Sequence, residues 1–266
     1  MAKSAVALSA RAAAALILAS FVAILAAPPT YARDEGLDTP RLFSFGGMCL
    51  NCELSGRKLP AARFIGANFS GAALVGADLR GASFFGSDFA GADLAHSDLT
   101  GASLFGSNFA GANFTLANLS GIQGHGVTFT GATALRASFV RANLLGADLI
   151  RVDARDAQFT GAEMVGVALT GGRFDGASFA RANLDAATLS GASFAGADFT
   201  GATLIHANIG GADLVGARGL TQEQLDQACG ASTTRLPPGL IARTCKAGAH
   251  VIIMSHGVSP RYVVRY

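Results

Sequence analysis

From Leu54 to Leu214 every fifth residue is apolar, and nearly all are large: Leu54, Leu59, Phe64, Phe69, Leu74, Leu79 and onward. Of these 33 positions only Gly124, Ala134 and Ala154 depart from the rule. Two residues before each comes a small one, usually alanine, as at Ala67, Ala72, Ala77, Ala82 and Ala92. The residue in between is polar, as at Asn68, Asp78, Asp88, Asp93 and Asp98, and two residues after the large one the chain is usually glycine. The unit reads Ala-Asp/Asn-Leu/Phe-x-Gly. A period of five suits neither a helix at 3.6 residues per turn nor a flat strand at two. It predicts a chain that turns a corner every five residues. The large and small residues then share the inner side, as i and i+2 do on a strand, and the polar one faces out. Glycine near the corner supplies backbone freedom.

A second period lies above the first. Phe69, Phe89, Phe109 and Phe129 are spaced by 20, as are Phe139, Phe159, Phe179 and Phe199. So are Leu59, Leu79, Leu99 and Leu119, and Leu144, Met164, Leu184 and Leu204. Four units per coil put each set in one column and predict a four-sided coil of 20 residues. Opposed faces also trade size. The face carrying Phe69 to Phe129 continues as Leu149, Leu169, Leu189 and Ile209, while the face of Leu59 to Leu119 becomes Phe139 to Phe199. A close-packed lumen of fixed width requires such compensation. At two exceptions the bulk moves to the small position: Ile122 precedes Gly124, and Val152 precedes Ala154. Ala134 has only Ala132, which predicts a thin or distorted side that Leu135 turns inward to fill.

The N-terminus breaks with this pattern. Lys3 and Arg11 precede an apolar stretch from Ala12 to Ala27, and Pro28, Pro29 and small residues at Thr30 and Ala32 follow. That arrangement is a secretory signal peptide, cleaved after Ala32. Sixteen residues are short for a span of about 20, so an uncleaved membrane anchor is the alternative, and the stretch is the chain's one candidate for crossing a membrane. The whole chain has 20 Lys+Arg and 18 Asp+Glu; without Lys3 and Arg11 the mature balance is neutral. A neutral protein has no bulk electrostatic reason to bind nucleic acid and does not imitate it.

The repeats, as in Gly71-Ala72-Ala73-Leu74 and Gly91-Ala92-Asp93-Leu94, resemble the pentapeptide-repeat family over residues 52–217. The resemblance implies an all-β fold, a right-handed quadrilateral β-helix with inward Leu or Phe. About eight coils at a strand spacing of about 4.8 Å make a rod of roughly 39 Å. Cys49-Leu50-Asn51-Cys52-Glu53-Leu54 resembles the start of exported members, and Gly219 to Gly230 resembles their C-terminal cap. The family includes dimeric acidic rods that imitate DNA and protect gyrase. A signal peptide and a neutral mature charge argue against that activity here.

Candidate chemistry is sparse. Four cysteines in an exported chain suggest two disulfides. Cys229 and Cys245 flank Pro237 and Pro238 after a short helix capped by Thr221, and Cys49 lies close enough to Cys52 to pair with it. Cys49-x-x-Cys52 also permits thiol exchange, but no βαβ pattern surrounds it. Haem attachment would need His where Glu53 stands, and zinc would need more than two thiols. His96, His125 and His206 fall on different faces or four coils apart, so they share no metal; His250 and His256 complete the histidines. Arg136, Arg141, Arg151 and Arg155 interleave with Asp148, Asp153 and Asp156.

The layout is a signal peptide (1–32), an N-terminal linker and cap (33–51), the repeat β-helix (52–217), a helical and disulfide cap (218–245) and a tail (246–266), either strand or disordered. Phe43 and Phe45 stand ready to plug one end of the lumen, and Leu220 and the helix around Leu225 to cover Leu214 at the other. The reading is a non-catalytic, periplasmic or secreted structural or interaction module. It has no cofactor, metal or nucleic-acid ligand. Its partner is an unidentified protein, a second copy of the chain being admissible. A topoisomerase-directed DNA mimic and a Cys-x-x-Cys redox protein are the alternatives.

Overall fold

Parallel bridges join residue i to residue i+20 at every fifth position: Asp88 to Asn108, Asp93 to Asn113, Asp98 to Asn118 and Ser103 to Gln123. Four bridges therefore complete one coil, and the next coil lies directly above. The computed structural model describes residues 43–245, 250–254 and 261–265. Most faces hold one bridged residue between two corners, because the chain turns before a longer strand can form. On one face the pairing lengthens into β1 (Phe43–Phe45), β2 (Arg63–Ile65) and β3 (Ser83–Phe85). These are parallel in the order β1-β2-β3, with Ser44 opposite Phe64 and Phe64 opposite Phe84.

Every corner uses a residue with positive φ. Glycine fills most of them, as at Gly101 with φ +67°. Eleven non-glycine residues adopt the same conformation, among them His96, Arg136, Arg141, Arg151, Asp156, Arg181 and His206. An L-residue there costs roughly 1–2 kcal/mol. The ladder on either side of each corner supplies the bonds that hold it.

The lumen is filled by side chains. Phe109, Phe159, Phe179 and Phe199 have no exposure, and Phe69, at 5%, is the most exposed ring of its column. Columns are stacks: Phe69–Phe89 centroids are 4.8 Å apart and Phe89–Phe109 4.7 Å, while Phe139–Phe159 and Phe159–Phe179 stand at 4.9 and 5.0 Å. Ile122 and Val152 are buried beside Gly124 and Ala154, so bulk does move to the small position there. The expectation for Leu135 is corrected. It stays half-exposed at its corner, and the coil is undistorted, with Thr133 bridged to Asp153 and Ala134 N donating to Asp153 O at 2.7 Å. Rings from neighbouring faces take up the room that Ala134 leaves.

Among the described residues pairing begins at Phe43, and Ser44 and Cys49 continue the five-residue register backwards from Leu54. The register aligns Ser44 with the lumen column, and Phe43 and Phe45 with Arg63 and Ile65. The expected plug rests on the side chains of Phe43 and Phe45, which lie outside the described residues. At the other end helix α1 (Gln222–Gln227) closes the lumen with fully buried Leu225, while Leu220 is half-buried. Past the helix the chain rejoins the ladder, bridging Asn208 to Cys229 and Asp213 to Arg235. In the tail β4 (His250–Met254) pairs antiparallel with β5 (Arg261–Arg265).

Candidate functional site

The cysteines sit at the two ends of the lumen. Cys49 is bonded to Cys52. Cys49 occupies the register below Phe69, since its N–H donates to Asn68 O at 2.7 Å as Phe69 N–H does to Asp88 O. Cys52, 8% exposed, takes the small inward position below Ala72. The pair spans the Asn51 corner, with Cys49 half-buried. Cys229 is bonded to Cys245. Cys229 N–H donates to Ala207 O, Cys229 O accepts from Ile209 N–H, and Cys245 N–H donates to Gly230 O. The bond therefore fastens the segment around Thr244 to the last laddered residues of the rod.

One side chain organises that cap. Gln224 Oε1 accepts from Thr221 N–H at 2.7 Å, closing a capping box with the Thr221 hydroxyl. Its Nε2 donates to Phe199 O at 3.0 Å and Ala202 O at 2.8 Å. Phe199 O already accepts from Ala202 N–H within its own turn, but Ala202 O has no further coil to pair with, and bare sheet edges template association. Thr234 does similar work on the next face, donating to Ile209 O and accepting from Gly211 N–H. Sequence reasoning identified Thr221 but missed Gln224, whose only signal was its place three residues after the cap.

The outward polar position does more than solvate the rod. Asp93 accepts from Ala95 N–H at 3.1 Å and from Asn113 Nδ2 at 2.9 Å, one coil above. Asp88 does the same with Ala90 N–H and Asn108. Asx turns brace the corners, and amide–carboxylate pairs knit successive coils. Asp153 takes both Nε and Nη2 of Arg155 at 2.8 and 2.9 Å, with Arg173 at 3.6 Å. The Arg155 hydrogen bond holds its carboxyl below the ordinary carboxylate range. Glu163 is pushed up by burial, then by the charge of Asp185. Arg136, Arg141 and Arg151 stand at three different corners, so they form no patch with one another.

The histidines are separated as well. His96 and His206 occupy left-handed corners, whereas His125 stacks on Phe105 with centroids 4.7 Å apart and planes 2° from parallel. Burial holds the His125 imidazole below its ordinary value, and its Nδ1 is buried without a hydrogen bond. His250 lies in β4, and His256 lies outside the described residues. Among the described residues no three His, Cys, Asp or Glu side chains come together to hold a metal ion. None of their helices is long and apolar enough to cross a membrane.

The family model for pentapeptide repeats matches in eight copies, spanning 49–121 and 125–218 in overlapping segments. The chain belongs to the pentapeptide-repeat family. Its fold is the family's right-handed quadrilateral β-helix. Among solved pentapeptide-repeat structures it is similar to HetL, involved in heterocyst differentiation regulation in the cyanobacterium Nostoc. Identity is 29%, with 75% of this chain and 86% of that one covered, at a TM-score of 0.54. A pentapeptide repeat protein of the Arabidopsis thaliana thylakoid lumen is 36% identical over 44% of this chain and 67% of that one, at a TM-score of 0.18. Rfr23 from the cyanobacterium Cyanothece is 22% identical, covering 49% and 85%, at 0.29. No curated protein matches the chain.

Proposed function

We propose that this chain is an exported, non-catalytic interaction module acting in the periplasm or outside the cell. The filled lumen carries the reading. From Phe69 to Leu214 the central side chains of all four faces are buried against one another. Among the described residues of the rod, the outer faces, with their ladders and corner side chains, remain to meet another molecule. Pentapeptide-repeat membership agrees with a structural or interaction role. Export is supported by the apolar stretch from Ala12 to Ala27 and by two cysteine pairs, which persist in oxidising compartments.

Fractionation with N-terminal sequencing tests the reading. The expected result is a mature chain beginning at Arg33 in the periplasmic fraction, where affinity capture recovers a protein partner. Recovery of Met1 in membranes would overturn export. Inhibition of gyrase supercoiling by the purified chain would move the reading to a topoisomerase-directed DNA mimic. Turnover of insulin disulfides would move it to thiol exchange at Cys49 and Cys52.

A further inference from the structure

The residue just after the central one lies outside the lumen, and along one column it is a large ring or aliphatic group coil after coil. The column reads Ile65, Phe85, Phe105, His125, Leu145 and Val165. Phe85 is 57% exposed and Ile65 37%; Phe105, His125 and Leu145 are half-buried, and Val165 is buried. The corresponding column on the next face reads Ser70, Ala90, Ala110 and Thr130. Along the apolar column each following corner, from Gly66 to Gly166, is glycine, so the corners themselves add no side chain over the ridge. A contiguous exposed apolar surface marks an interaction site, whereas scattered residues do not.

The charges on this face say what fits it. Arg63 and Glu163 occupy the same outward column, linked by the chain of bridges through Ser83, Ser103, Gln123 and Asn143. They are five coils apart, about 24 Å at a strand spacing of about 4.8 Å. A two-fold axis in the plane of the face, perpendicular to the coil axis, reverses the order of coils and keeps each column opposite itself. An isologous contact of this kind needs a self-complementary patch. Placed between Phe105 and His125, the axis sets Phe105 against the partner's His125, Phe85 against the partner's Leu145 and Arg63 against the partner's Glu163, with Ile65 over the coil in which Val165 is already buried. Antiparallel packing thus brings apolar onto apolar and opposite charges together.

We propose that this ridge is the interface of an antiparallel homodimer. Glu163, already disfavoured as an anion by burial and by Asp185, gains a guanidinium from the partner. The His125 ring, kept neutral by burial, behaves as part of the apolar surface. A patch of this length lies at the small end of specific interfaces, so the dimer dissociates on dilution.

Sedimentation of the purified chain over a concentration series tests this. The expected mass rises from monomer to dimer. Phe85→Ser should weaken association by about ten-fold or more, as loss of an aromatic anchor does. Glu163→Arg and Arg63→Glu should each weaken it, and the combined swap should restore it. Circular dichroism checks that each variant keeps the parent fold, with Ile65→Ser as the second apolar probe should Phe85→Ser misfold. A chain that stays monomeric to its solubility limit would overturn the proposal. So would a dimer indifferent to the ridge substitutions, or one not restored by the swap.

Discussion

The ring of Phe129 stands edge-on to that of Phe139 across the lumen, with centroids 5.9 Å apart and planes at 83°. Here the phenylalanine ladder changes faces, and Ala134 between them leaves the space in which the two rings meet. Phe129→Ala should therefore cost about 3–5 kcal/mol in chemical unfolding, because neighbouring coils cannot close over the cavity. Asp93→Ala removes only the bonds to Ala95 and Asn113, and should cost about 0.5–1.5 kcal/mol. Equal costs would mean that the inward and outward positions have been exchanged.

Corners offer a test of backbone strain. Gly101 has φ +67° and open space where a Cβ would stand, so Gly101→Ala isolates the conformational penalty. Thermal unfolding should show a loss of about 1 kcal/mol, the left-handed cost offset in part by a less flexible unfolded chain. Arg151, at φ +56°, should respond in the opposite sense. Arg151→Gly should be neutral or stabilising by up to about 1 kcal/mol, although it gives up the packing of the arginine stem over Gly171. A large destabilisation would show that this packing outweighs the relief of strain.

The C-terminal cap depends on two independent fastenings. Gln224→Ala opens the capping box and leaves Ala202 O without its side-chain donor, while Phe199 O keeps Ala202 N–H. It should cost about 2 kcal/mol. Replacing both Cys229 and Cys245 by Ser releases a loop whose closure is worth about 3 kcal/mol. Light scattering beside circular dichroism should show association through the exposed end while the β signal stays near native. A double variant that stays monomeric and equally heat-stable would exclude the disulfide as the cap's fastening.

Stability should also carry a signature of His125. Its folded pKa lies below the ordinary 6.5 because burial disfavours the imidazolium. Between those two values the unfolded chain binds more protons than the folded one, so stability rises with pH through the window. The contribution is fully present above about pH 6.5 and is lost as the pH falls towards the folded value. His125→Phe keeps a ring against Phe105 and removes the titration. The gap between parent and variant unfolding midpoints should therefore move in the variant's favour on acidification. Midpoints that fall in parallel would show that His125 protonates equally in both states.

Much of the molecule was written in one dimension. Periods of five and 20 determined the four-sided coil, the inward columns from Phe69 to Phe199 and the outward acids, because each coil repeats one local solution and stacks on a copy of itself. Even the shift of bulk from Gly124 to Ile122 was legible, since it stays within one unit. Leu135 was misread because neighbouring units share the lumen, and Phe129 and Phe139 occupy the volume that Ala134 leaves. The tertiary structure alone decided how Gln224 reaches Phe199, that Cys49 stands under Phe69, and that Ile65, Phe85 and Phe105 make a ridge rather than scattered exposed residues. Each depends on groups brought together across 20 or more residues by the coil or by the cap folding back on it. A repeat specifies its own conformation locally, whereas its ends and its outer columns acquire meaning only from what lies in the neighbouring coil.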